Sequence, residues 1–216
     1  MDYTFPIEIW QVLLDQINFL SQNRLRLVCK YFHHNLMITD FYNIDDKYIE
    51  RLNDDILKDY LCITQLNIKN NRNITDINHL TNLRRLNAQN TKLKDIKHLT
   101  KLQILIASGS CHIDDNSIKN LNLIKLNAQN NQNITNVNHM TNLEVLNISF
   151  NCGVNDNGIK NLNLIKLNAY DNQKIKNIAQ MTRLKKLNAG GNCGIKKNDI
   201  SGLNLTKLRT YNNHNF

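Results

Sequence analysis

The pattern LxxLxAxxN returns along this chain every 19 to 21 residues from Ile63 to the C-terminus, and LNLIKLNAQNN, Leu121 to Asn131, is its clearest copy. The second leucine of the pattern falls at Leu66, Leu86, Leu105, Leu126, Leu146, Leu167, Leu187 and Leu208, which makes eight units. A fixed period in this range marks a repeat architecture, in which a unit cannot bury its own apolar face and copies must stack.

This spacing resembles the leucine-rich repeat from about residue 63 to residue 216. The resemblance implies an α/β solenoid with a parallel sheet. Two kinds of unit alternate on the return side. The shorter reads ITDINHLTNL, ITNVNHMTNL or IKNIAQMTRL; the longer reads IDDNSIKNL, VNDNGIKNL or IKKNDISGL, with Asp, Asn or Lys where a short helix would start. The longer units also carry Cys111, Cys152 and Cys193. These lie two repeats apart, roughly 10 Å at about 4.8 Å per strand, beyond the ~7 Å reach of a disulfide, so buried thiols are expected. A shared metal fails on the same distance. Asn71, Asn131, Asn151, Asn172, Asn192 and Asn213 occupy the position after each strand, where side-chain amides can satisfy backbone groups. Thr91 and Ser110 interrupt that ladder beside the shortest unit, where irregularity is expected.

In a strand x-L-x-A-x, residues flanking the buried pair face the concave side. Before the leucine stand Gln65, Arg85, Ile104, Lys125, Val145, Lys166, Lys186 and Lys207; between the core residues stand Asn67, Asn87, Ile106, Asn127, Asn147, Asn168, Asn188 and Arg209. After them come Lys69, Gln89, Ser108, Gln129, Ser149, Tyr170, Gly190 and Tyr211. Like charges stacked on neighbouring strands oppose folding mildly, so the basic column points to an acidic target, the alternative being a solvated face whose lysines follow from A+T-rich codon bias. The expected target-binding residues are Arg85, Lys125, Asn127, Lys166, Asn168, Tyr170, Lys186, Asn188, Lys207, Arg209 and Tyr211.

Ahead of the repeats, Pro6 and Glu8 suit the first turn of a helix. Ile7, Ile9, Trp10, Val12, Leu13, Leu14, Ile17 and Leu20 would cover about 220° of its circumference, twice the stripe that a one-sided helix needs. A second helix is expected with Leu25, Val28, Phe32 and Leu36 on one side. The stretch FPIEIWQVLLDQI followed by RLRLVCKYFHHNL resembles an F-box, LPxEIxxxILxxL and then LRxVCKxFxxL, with Phe5 in place of leucine and a somewhat short connection. That resemblance implies a small all-α F-box over residues 1–45 that binds the Skp-type adaptor of a cullin-RING ubiquitin ligase. Phe5, Pro6, Ile9, Trp10, Leu13, Leu14, Leu27, Val28 and Cys29 would form the adaptor contact. Residues 46–62 read as a degenerate capping repeat and helical linker: Ile44 to Leu52 parallels Ile113 to Leu121, but no strand motif precedes it. Residues 63–216 hold the eight repeats.

Charge divides at the same boundary. Residues 1–45 carry three Lys/Arg against five Asp/Glu, and residues 46–216 carry 24 against 13, so the net +9 belongs to the repeats. No run approaches the roughly eighteen apolar residues of a membrane span, and five cysteines without close pairing suit a reducing compartment. A cytoplasmic protein is expected, with no membrane association, cofactor, metal or small-molecule substrate. Neither a phosphate loop nor a nucleophile motif is present, so no enzyme activity is expected. The expected role is capture of an acidic target protein on the array while the N-terminus holds the adaptor and cullin scaffold. A plain interaction scaffold and a basic nucleic-acid binder are the two alternatives. Against the second, Tyr170 and Tyr211 alone offer stacking surfaces on the concave face.

Overall fold

The computed structural model describes residues 11–14, 21, 22, 24 and 37–216. Among these residues nine short strands lie side by side in chain order, all parallel: β1 Asp40–Phe41, β2 Gln65–Asn67, β3 Arg85–Asn87, β4 Ile104–Ile106, β5 Lys125–Asn127, β6 Val145–Asn147, β7 Lys166–Asn168, β8 Lys186–Asn188 and β9 Lys207–Arg209. The register is uniform: the eight anchor leucines from Leu66 to Leu208 form one row across β2 to β9. Each anchor up to Leu187 is buried, as are Ile68, Ala88, Ala107, Ala128, Ile148, Ala169 and Ala189 two residues on. One hydrophobic core runs from Ile38 to Ile195 behind the sheet. The stacking expected of such repeats is therefore realised, because each unit buries its apolar face on the next.

The sheet begins earlier than the repeat pattern suggests. Asp40 pairs with Gln65 and Phe41 with Leu66, so β1 stands in the segment read as the end of the N-terminal helical module. Phe41 fills the anchor position, fully buried and edge-on to Tyr60 at 4.9 Å. The strand motif thought missing before Ile44 is present, with Phe substituting for Leu. Two helical turns, α1 Asp46–Ile49 and α2 Asp54–Leu57, follow β1.

The convex side alternates as its sequences do. Longer units carry a helical turn: α3 Asp115–Ile118 between β4 and β5, α4 Asp156–Ile159 between β6 and β7, and a 3-10 turn at Lys197–Ile200 between β8 and β9. The first two are N-capped, Asp114 accepting from the Ser117 N–H and Asn155 from that of Gly158. Shorter units have no helix, and their histidines close the gap: His79 Nε2 lies 2.9 Å from the Leu57 carbonyl and His139 Nε2 lies 3.0 Å from that of Ile118. Between β2 and β4 two short units follow one another. There His98 faces no helical carbonyl, and its buried Nε2 has no partner. The irregularity expected near the shortest unit takes this form.

Each strand from β2 to β9 exits through a left-handed residue: Asn70, Asn90, Gly109, Asn130, Phe150, Asp171, Gly191 and Asn212. The buried ladder comes next, and it corrects the sequence expectation. Asn71, Asn131, Asn172 and Asn213 are buried, whereas Asn151 and Asn192 are exposed, and the following Cys152 and Cys193 are buried in their place. Asn131 donates to the Ala107 and Ile113 carbonyls at 2.9 and 3.0 Å and accepts from Asn133 N at 2.9 Å. Asn172 repeats this towards Ile148 and Val154. Asn131, Asn172 and Asn213 thus satisfy the loop of the cysteine-bearing unit before each of them, and Asn71 does the same for the Ile49 and Leu52 carbonyls after β1. Burial raises the thiols of Cys111, Cys152 and Cys193 to about 11, which keeps them protonated and inert at neutral pH.

Candidate protein-binding face

Strand alternation places the residues on either side of each anchor leucine on the concave surface. Lys125, Val145, Lys166, Lys186 and Lys207 are Cα partners in one row, with Arg209 beside Asn188 in the next. All four lysines and Arg209 are exposed. Lys166, Asn168, Lys186, Asn188, Lys207 and Arg209 surround a shallow depression of about 240 Å³. The ion pairs among the described residues involve Lys47, Lys58, Lys97, His98 and Arg183, none of which belongs to this group. Neighbouring lysines therefore stand about 4.8 Å apart at the backbone with no carboxylate between them.

The other end of the same row is closed. Asp40 occupies its first position, accepting from Gln65 Nε2 at 3.3 Å and from Tyr42 N at 2.7 Å. Arg85, expected on the binding face, is half-buried with its guanidinium 3.5 Å from the centre of the Tyr42 ring. That stacking ties β3 to the turn after β1 and removes Arg85 from the open basic group. The face thus changes along the solenoid: near β1 to β3 its charged groups are engaged by Gln65, the Tyr42 N–H and the Tyr42 ring, and from β7 to β9 it is exposed and cationic.

The asparagine column has a structural task that repeat spacing alone did not reveal. Asn127, Asn168 and Asn188 each accept through Oδ1 from the backbone N–H two residues on, at 3.0, 3.2 and 3.3 Å. Their Nδ2 donors take part in none of the hydrogen bonds among the described residues, and these are the atoms such side chains can offer to a partner. The third column changes character along the array. Ser108 and Ser149 are buried, Tyr170 is half-buried against Phe150 with ring centres 5.5 Å apart, and Tyr211 is 77% exposed. Phe150 itself was absent from the sequence expectation, since the strand pattern ends at Ser149. The signal that could have found it is the lone aromatic in a position otherwise held by Asn, Asp or Gly.

At the N-terminal surface, Phe5, Pro6, Ile9, Trp10, Leu27, Val28 and Cys29 lie outside the described residues. Val12 and Leu13 are 62% and 50% exposed, but Leu14 is fully buried, so it is no surface contact. Among the described residues no group of three metal-ligating side chains gathers, and no helix is long and apolar enough to cross a membrane.

The uniform parallel sheet, the buried leucine row and the asparagine ladder define a leucine-rich-repeat solenoid. No family model matches the chain, and no curated protein does. Among solved structures it is similar to an internalin from Listeria monocytogenes, with 24% identity and a TM-score of 0.51 over 82% of this chain. The match takes in 52% of that internalin, so this chain spans about half its length, and the likeness is one of fold.

Proposed function

We propose that the array is a receptor for an acidic protein, held on the concave face from β7 to β9, and that it binds without catalysing. The observation that carries this reading is the set Lys166, Lys186, Lys207 and Arg209 around one depression, with no ion-pair partner among the described residues. Stacked like charges bring the fold no benefit, so a complementary ligand accounts for them better than folding does. The F-box resemblance of the N-terminal stretch supports the finer reading: a substrate-recognition subunit that joins its target to a Skp-type adaptor and a cullin scaffold. Exposed Val12 and Leu13 on a helical turn fit an apolar contact of that kind.

A plain scaffold is the second reading, and one observation favours it. Gln11 bonds the Met37 backbone in both directions, each at 2.8 Å, so the N-terminal turn is fastened beside the start of the sheet. Co-purification separates the two. The wild-type chain should retain a Skp-type adaptor and a cullin, and Val12→Asp with Leu13→Asp should lose both while circular dichroism stays unchanged. Adaptor recovery equal in both forms, or absent from the wild type, would leave the scaffold.

A further inference from the structure

Of the eight left-handed residues that follow the strands, Asn70, Asn90, Gly109, Asn130, Asp171, Gly191 and Asn212 are types that reach positive φ at little cost. Phe150, at φ 61°, is the exception. A bulky side chain there is an outlier, and outliers of this kind persist where surrounding structure imposes them and function uses them. Phe150 N donates to the Tyr170 carbonyl at 2.7 Å, as the left-handed residues of other turns do to the next strand's exit. Its ring meets Tyr170 edge-on yet remains 43% exposed. Folding gains an aromatic contact from Phe150, but the residue stays 43% exposed in a turn that an asparagine would enter with less strain.

The surroundings give that ring a setting. Tyr170 lies across the next strand's exit because Gly190 is there: a Cβ on Gly190 would stand 3.0 Å from Tyr170 Cδ2 and 2.9 Å from the Tyr211 carbonyl. Phe150 also lines a depression of about 540 Å³ with Asn130, Asn151, Asp171 and Lys174. Lys166 and Tyr170 are four residues apart along one strand and its exit, or about 13 Å. A cationic row and an aromatic step therefore run side by side over the end of the array.

Building on the acidic-target reading above, we infer that Phe150 and Tyr170 form an apolar anchor that selects acidic segments carrying an apolar side chain about four extended residues from their carboxylates. The carboxylates meet Lys166, Lys186 and Lys207, and the apolar side chain covers the exposed part of the Phe150 ring. Charge alone would accept any polyanion, so the anchor supplies the discrimination. Aromatic side chains with large exposed area are the usual energetic centres of such contacts.

The test uses the full chain and fluorescently labelled peptides. One peptide has three glutamates, three serines and a phenylalanine; a second replaces the phenylalanine with serine; an oligothymidylate of equal charge is the third probe. The first peptide should bind about five- to tenfold more tightly than the second. In Phe150→Asn that ratio should fall to about one, with a melting temperature no lower than a degree or two below wild type, as roughly neutral stability implies. Equal affinity of the two peptides for wild type, a ratio that survives Phe150→Asn, or a large drop in melting temperature would overturn the anchor. So would tighter binding of the oligothymidylate than of either peptide. If both peptides bind equally and both are lost in Lys166→Glu with Lys186→Glu, the acidic-target reading stands and only the anchor falls.

Discussion

Asn130 and Asn131 stand side by side and do different work. Asn130 takes the left-handed turn at φ 57°, a conformation that asparagine tolerates better than most residues. Asn131 turns inward, where its amide satisfies two carbonyls and one N–H that the core would otherwise leave bare. A third use, at Asn127, closes the strand end on Gln129 N. The abundance of asparagine looks like a compositional habit in the sequence, yet these positions each meet a backbone demand. Asn131→Ala should cost about 3 kcal/mol in urea unfolding, because buried backbone groups lose their partners. Asn151→Ala, on the exposed side of a cysteine-bearing turn, should change stability by less than about 0.5 kcal/mol. Equal losses would mean that both residues belong to one ladder. Periodicity alone could not separate them. In the cysteine-bearing turns the inward position comes one residue later, so the same spacing from the anchor leucine leads to opposite faces.

At the scale of the element, the strand register was legible because the anchor leucines recur almost without interruption, and a regular apolar period determines which face is buried. The helical turns were legible too, since Asp114 and Asn155 stand at the cap positions expected of their units. β1 was not. Its anchor is an aromatic, its paired length is two residues, and its neighbours lack the flanking leucines that advertise the other strands. Burial decides the matter, since Phe41 is 0% exposed at the head of the core. Phe41→Ala should therefore destabilise the chain by about 3–5 kcal/mol, the range for emptying a large core site. A loss below about 1 kcal/mol in a urea titration would detach β1 from the cooperative array. The concave columns were also correctly placed by alternation, although Arg85 was not available as expected. Its partner Tyr42 follows a strand that the repeat pattern had not revealed, so the stacking could not be anticipated.

Over the whole molecule, charge is distributed with a direction. The row that begins at Asp40 ends in Lys166, Lys186 and Lys207, and Asp115 and Asp156 hold convex turns, Asp115 accepting from the Thr135 and Asn136 N–H groups and Asp156 from those of Lys176 and Asn177. At physiological salt the screening length is about 8 Å, so lysines on adjacent strands reinforce one another while the opposite end of the solenoid contributes little. An acidic partner should associate faster at low salt, and changes in the row should act on its rate of arrival more than on its departure. The most direct measurement is competitive co-purification of wild type and Lys166→Glu with Lys186→Glu from one extract, at two salt concentrations. The reversed row should lose the captured partner, the wild type should lose it progressively as salt rises, and any adaptor that the wild type retains through the proposed N-terminal contact should be recovered equally with both. Equal recovery of every partner by the two forms at both salt concentrations would contradict this expectation, and would show that the concave face is a solvated surface and not a binding site.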